Sequence, residues 1–357
     1  MTSPLPHLTI GPLDIGFPVV QAALSGYSDW PMRAVARRLG ASYTLCEVML
    51  DQFLLAVRRR RRTHHFLYHS EDERPVGGQL MGAEPEQFAQ GAARLAAAGF
   101  DVIDINFGCP VKKVLGRCRG GFHLSQPAVA IEIIRRTRDA VPHAIPVTVK
   151  MRRGIDDSPQ SRDHFFTILD GAWDAGIAAV TVHGRTVVQR YDGPSDWTFL
   201  AEVKRHAGRH TILGSGDLFT PHDCLRMMRE TGVDGVTVAR GAIGNPWIFH
   251  RTRRLAQTGT LPPPPTLHEQ REVICEHFAM VESLYGPRHA AQRMRKFGIK
   301  YARLHPRTTA LRDAMVKIGS RDDFDRVMAQ WYADDLPGIE PVCDEVQYAK
   351  VTPTCGP

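Results

Sequence analysis

Residues 146–185, PVTVKMRRGIDDSPQSRDHFFTILDGAWDAGIAAVTVHGR, carry the pattern that decides the fold. Pro146–Met151 and Ala179–His183 are short runs rich in β-branched residues, the signature of strands. Between them Arg162–Ala175 has apolar residues at helical spacing, and Gly176 follows as a C-terminal stop. A strand, a glycine-closed helix and a second strand form a βαβ unit.

The unit repeats in both directions. Further strands are predicted at Pro18–Ala23, Tyr43–Val48, Pro75–Leu80, Val102–Asn106, Thr211–Gly214 and Gly235–Ala239. Helices are predicted at Trp30–Leu39, Glu84–Ala98, Ala128–Ala140, Trp197–His206 and Pro221–Thr231, and Gly40, Gly99 and Gly232 repeat the stop. Eight strands in regular alternation with helices favour an α/β TIM (β/α)8 barrel over an open doubly wound sheet, and the barrel is assigned to residues 1–258. Gly259-Thr-Leu-Pro-Pro-Pro-Pro265 is too proline-rich for helix or central strand, so 259–266 reads as a stiff linker. Leu267–Tyr285, His289–His305, Thr308–Ile318 and Asp322–Trp331 then make a small C-terminal helical domain over 267–336. The tail, 337–357, has little pattern and is expected to be poorly ordered.

Composition narrows the partners. In 357 residues no apolar run reaches the ~18 that a membrane span needs, and the N-terminus lacks the basic-then-apolar pattern of a signal peptide. The seven cysteines are scattered without a Cys-x-x-Cys pair, so neither a disulfide framework nor a metal site is expected, and the cytoplasm is the expected compartment. Net charge is +7, but Gly286–Arg321 alone holds ten Lys/Arg against Asp313. Like charges repel along one segment, which points to a polyanionic partner. Arg58–Arg62 is a second basic cluster.

In such a barrel the active site lies at the C-terminal ends of the strands. Those positions hold Ala23-Leu24-Ser25-Gly26, Glu47, Gly78-Gln79, Asn106 through Pro110, Lys150 with Arg152, His183-Gly184-Arg185, Ser215-Gly216-Asp217 and Ala239-Arg240-Gly241. The last two turns suit an anion, because loop amides, a helix N-terminus and the Arg240 fork converge after strands seven and eight. Lys150 reads either as a lysine snorkelling to the rim or as a fixed ammonium beside a flavin ring. His183 reads either as a satisfied core histidine or as a hydrogen-bond partner of that ligand. Cys109, between Gly108 and Pro110 and followed by Lys112-Lys113, is a thiol on a basic turn, suited to proton donation or to thiolate attack. Cys118 is the competing thiol.

Taken in order, these residues resemble the tRNA-dihydrouridine synthases of bacterial type. The resemblance rests on Ala23-Leu24-Ser25-Gly26-Tyr27-Ser28-Asp29, Gln79-Leu80-Met81-Gly82, Asn106-Phe107-Gly108-Cys109-Pro110, Val149-Lys150-Met151-Arg152, His183-Gly184-Arg185-Thr186, Gly214-Ser215-Gly216-Asp217 and Gly244-Asn245-Pro246-Trp247-Ile248-Phe249. Met294-Arg295-Lys296-Phe297 with Tyr301 resembles the family's RNA-binding helix. The resemblance implies an FMN-dependent oxidoreductase that reduces the C5=C6 bond of uridine in tRNA with NADPH (or NADH). Hydride would pass from flavin N5 to C6, and Cys109 would protonate C5. It implies FMN on Ala23, Leu24, Ser25, Gln79, Lys150, His183, Ser215, Gly216, Asp217, Ala239 and Arg240. Asn106 and Arg185 would face the uracil, and Arg295 and Lys296 would grip the RNA. A monomer is expected. The chain departs from the family pattern at Ala22-Ala23-Leu24 (usually Ala-Pro-Met), at Ser215 (usually Asn) and at Arg117–His123, usually a stretch of small residues. Two other functions fit parts of the pattern. A dihydroorotate-dehydrogenase-like enzyme acting on a free pyrimidine leaves the basic helices unexplained. The other is a non-enzymatic RNA-binding protein with a decayed flavin site, which a yellow purified protein would speak against.

Overall fold

A computed structural model describes residues 5, 7–56 and 64–341. The Arg58–Arg62 cluster lies outside the described residues.

The strands are β1 (Leu8–Ile10), β2 (Leu13–Gly16), β3 (Val19–Gln21), β4 (Thr44–Leu45), β5 (Met49–Leu50), β6 (Val76–Met81), β7 (Val102–Phe107), β8 (Val147–Arg152), β9 (Ala179–His183), β10 (Ile212–Ser215) and β11 (Gly235–Val238). From β3 onward all pairings are parallel, β11 returns to β3, and β4 and β5 together fill the second staves' place, so the sheet closes as a barrel. The helices are α1 (Trp30–Arg38), α2 (Asp51–Ala56), α3 (His64–Leu67), α4 (Pro85–Ala97), α5 (Lys112–Leu115), α6 (Pro127–Ala140), α7 (Pro159–Asp174), α8 (Trp197–Ala207), α9 (Pro221–Thr231), α10 (Trp247–Thr258), α11 (Leu267–Tyr285), α12 (Pro287–Tyr301), α13 (Thr308–Val316) and α14 (Arg321–Trp331).

Strand periodicity sorts the side chains into shells. Ile103, Ile105, Phe107, Val147, Val149, Met151, Val180 and Val182 belong to the main core, shared with the surrounding helices. Val20, Val102, Ala179 and Leu213 belong to a separate cluster with Leu8, Ile10 and Ile15 of the β1–β2 hairpin. That hairpin therefore caps the floor of the barrel. Above the floor the inward positions turn polar: Asp104 and Thr148, then Asn106, Lys150, His183 and Ser215 at the rim.

Four expectations need correction. Of the second strand, expected to run Tyr43–Val48, only β4 is in the ladder, and pairing resumes beyond it as β5; between them the Glu47 side chain accepts the Gly26 N–H at 2.7 Å. The β1–β2 hairpin was not expected; its strands are only three and four residues long. α10 was not expected either, although Trp247, Ile248, Phe249, Arg251 and Leu255 form its buried face. The start of the tail is ordered by packing. Ile339 N–H donates to Leu304 O at 2.9 Å, and the buried Arg251 binds both Glu340 and the linker carbonyl of Pro262.

The main core runs without interruption from barrel into helices, through Trp247, Ile248, Phe249, Leu267, Phe278, Phe297 and Tyr301. Gly244, at φ +71°, makes a close approach to α12: a Cβ there would sit 2.4 Å from the Lys300 carbonyl carbon. Only glycine lets the end of α12 seat on the rim.

Candidate active site

One cavity opens at the C-terminal rim. Ala23, Leu24, Ser25, Gln79, Asn106, Cys109, Lys150, His183, Ser215, Gly216, Asp217, Ala239 and Arg240 all line it. Arg152, Tyr191, Phe219 and Ile243, to which the sequence assigns no binding role, line it too, as does Lys300 of the basic run. Tyr191 and Lys300 come from a loop and from a different part of the chain, so no strand-end pattern marks them.

A hydrogen-bonded chain rises through the barrel to the cysteine loop. Thr148 Oγ1 donates to Asp104 Oδ1 (2.6 Å), Gln79 Nε2 to Asp104 Oδ2 (2.7 Å), and Asn106 Nδ2 to Gln79 Oε1 (2.8 Å). Asn106 Oδ1 then accepts the Gly108 N–H at 2.9 Å. Burial raises the Asp104 carboxyl above its ordinary range, opposed by these donors and by Lys150. Asn106 thus lines the cavity and also fixes the Phe107–Gly108 peptide that leads to Cys109.

Three backbone groups fix that loop. Asn106 holds the Gly108 N–H, Arg152 Nε donates to the Gly108 carbonyl (2.9 Å), and Gly121 N–H donates to the Cys109 carbonyl (3.1 Å). The thiol is partly buried, and the exposed Lys112 and Lys113 follow it. The Arg117–His123 segment is the outer support. Gly120 has φ +59°, and a Cβ there would lie 2.8 Å from the Cys109 Cβ and 3.0 Å from the Met81 sulfur. Gly120→Ala is therefore expected to lower stability by about 1–3 kcal/mol in a urea melt; an unchanged midpoint would show that the loop yields freely. Cys118 is exposed and outside the cavity lining.

Burial, with Arg152 adjacent, pushes the Lys150 ammonium down to about 8, opposed by Asp104 and Cys109. Its strand partner across β7–β8 is Asn106. Burial among Arg152, Lys150, Arg185 and Arg240 drives His183 well below its ordinary value, so the ring is neutral. Its Nδ1 accepts the Arg185 N–H at 3.2 Å, which leaves the proton on Nε2 as a donor.

The anion cradle is built from two glycine turns. A Cβ on Gly216 (φ +117°) would strike Ser195 Oγ at 2.3 Å, and one on Gly241 would strike the Leu218 carbonyl at 2.2 Å. The Arg240 guanidinium lies against the Tyr191 ring (4.8 Å) and the Phe219 ring (5.2 Å), with Asp217 at 3.6 Å.

Three assigned residues are placed elsewhere. Arg185 does not line the cavity: it is buried, pairs with Asp217 at 2.8 Å and donates to the Gly193 carbonyl. A guanidinium beside a half-buried carboxylate is held there, so Arg185 shapes the cradle instead of facing it. Arg295 Nε donates to the Ile318 carbonyl two residues past α13. Lys296 Nζ donates to the Gly26 carbonyl on the barrel rim.

The closed parallel barrel is a fold shared with solved structures of low sequence identity. The chain superposes on morphinone reductase in complex with tetrahydroNAD (TM-score 0.54, 12% identity, 73% of this chain and 93% of that one). It also superposes on histamine dehydrogenase from Rhizobium sp. 4-9 (TM-score 0.53, 13% identity, 76% and 50%). At that identity the likeness shows the fold. The sequence profile described as Dihydrouridine synthase (Dus) matches residues 20–334, and the chain belongs to that family. A probable tRNA-dihydrouridine synthase of Mycobacterium tuberculosis is 33% identical over 97% of this chain and 89% of its own length. The tRNA-dihydrouridine synthase B of Xanthomonas axonopodis pv. citri is 32% identical over 95% and 99%.

Proposed function

We infer that this oxidoreductase reduces uridine in tRNA to 5,6-dihydrouridine, with FMN in the barrel mouth and NADPH as the reductant. Family membership and relatives matched over nearly their whole length support the reaction. The observation that carries the site assignment is the clamped Cys109 loop facing the same cavity as Lys150 and His183.

The cavity suits a flavin mononucleotide in its donor set: small side chains at Ala23, an ammonium and a neutral imidazole N–H on the walls, and two glycine turns with Arg240 for a phosphate. Bound there, the flavin would supply a hydride for C6 of the uracil. The chain's own groups supply the rest. The double bond is conjugated to the C4 carbonyl, so reduction at C6 leaves electron density on C5, and Cys109 holds the proton that C5 takes up. Lys150 would set a positive charge beside the ligand, and the His183 Nε2–H would be available to donate to it. Asn106 and Arg152 hold the cysteine peptide still through Gly108.

Incubation of the purified protein with tRNA and NADPH tests this directly. Dihydrouridine in the RNA and a flavin absorbance near ~450 nm are expected. A colourless protein that neither takes up FMN nor forms dihydrouridine would overturn the reading.

A target base must leave its stack to enter the cavity, so the RNA backbone needs a grip outside it. Arg312 and Lys317 are exposed on and just after α13. Reversing both charges is expected to weaken tRNA binding about tenfold and flatten its salt dependence, leaving flavin content unchanged. Unchanged affinity would move the RNA surface elsewhere, Arg58–Arg62 being the other basic cluster. Among the described residues no helix is long and apolar enough to cross a membrane.

A further inference from the structure

We propose that Lys296 is a positioning residue for the cofactor turn Ser25–Tyr27, and that it acts from the helical part of the chain rather than by gripping RNA. The proposal rests on the reading of the cavity as a flavin site.

The turn that follows β3 contributes Ala23, Leu24, Ser25 and Tyr27 to the cavity. A segment this short and glycine-containing has few contacts of its own with which to hold one conformation. Inside the barrel, Ser28 Oγ receives the Leu24 N–H at 2.8 Å, and Glu47 Oε2 receives the Gly26 N–H at 2.7 Å. The next peptide, Gly26–Tyr27, is held from α12, where Lys296 Nζ donates to the Gly26 carbonyl.

Packing reinforces that bond. The Lys296 ammonium lies 5.3 Å from the Tyr27 ring centroid, and Phe297 meets the same ring edge-on at 5.6 Å. Two residues past the turn, Tyr285 Oη donates to Asp29 Oδ2 at 3.0 Å, while Asp29 Oδ1 caps α1 through the Met32 N–H. Two helices of the C-terminal part thus brace both ends of Gly26–Asp29. Because the ammonium is already bonded to a carbonyl and set on an aromatic face, it is engaged inside the protein. One of its three donors is committed to the Gly26 carbonyl and the Tyr27 and Phe297 rings flank it, so its charge is directed at the rim.

The charge of Lys296 therefore serves the barrel rim. Its loss should loosen the turn, and with it the wall on which a flat ligand rests. Losing one charge-assisted hydrogen bond and the ring contact is expected to weaken FMN binding about tenfold.

The test uses full-length Lys296→Met and Lys296→Arg. Amide hydrogen exchange of residues 22–29 is measured without flavin, and FMN and tRNA affinities are measured separately. Expected for Lys296→Met are faster exchange of residues 22–29, FMN bound about tenfold more weakly and tRNA affinity within about twofold of wild type, with Lys296→Arg restoring most of the loss. Unchanged exchange and FMN affinity with a large loss of tRNA binding would overturn the proposal. Faster exchange in a protein whose wild type takes up no FMN would uphold the brace and overturn the cofactor reading, so the two failures are separable. If Lys296→Met does not fold, Lys296→Gln carries the same comparison.

Discussion

Replacement of Cys109 by alanine is expected to lower dihydrouridine formation by about 10²–10⁴-fold, the range for losing a positioned general acid. FMN content and NADPH oxidation in the absence of RNA should stay near wild type. The separation follows from the geometry. Cys109 reaches the cavity from the loop after β7, whereas the cradle and Lys150 are built on other strands. Alanine keeps the Gly108 and Cys109 backbone bonds, which go to Asn106, Arg152 and Gly121 and not to the thiol. Full product formation by the variant would remove the thiol from the mechanism.

The second large effect belongs to Lys150. Lys150→Met is expected to slow reduction of the flavin by NADPH about 10²–10³-fold, the scale for deleting one fixed electrostatic stabiliser. In the wild type, the ammonium sits at about 8 in the folded protein. The unfolded chain has an ordinary lysine near ~10.4. Because the folded value is the lower one, the native protein bears the cost of the buried charge at neutral pH. That cost is relieved as pH rises between the two values, so this group makes stability increase across that window. The catalytic sign is opposite. The rate of flavin reduction should fall as pH climbs above about 8, where Lys150 loses its proton, and this limb should be missing in Lys150→Met. An anion beside Lys150 favours its charged form and moves the limb upward. A variant reduced at the wild-type rate would reassign Lys150 to a structural role.

The barrel was readable because its signals are local. Gly40, Gly99, Gly176 and Gly232 each follow a helix, and all four adopt positive φ. The cysteine loop was readable for the same reason, since Asn106, Gly108 and Cys109 act within a few residues of one another. What escaped notice depends on distant partners. A positive charge does not announce what it will bind: Lys296 meets a carbonyl 270 positions away, and Arg185 meets Asp217 across two strands. The β1–β2 hairpin escaped because three residues are too few for an alternation to be counted, although Leu8 and Ile10 are buried and Thr9 is not. In α10 the arginines Arg251, Arg253 and Arg254 obscured an apolar stripe that burial in the full fold makes plain.

That hairpin has a consequence for traffic. With Leu8, Ile10 and Ile15 stoppering the far end, the tube among the described residues opens at its rim. On the proposed chemistry the small electron donor and the large polynucleotide must come and go by it in turn, each vacating the threshold before the other can cross.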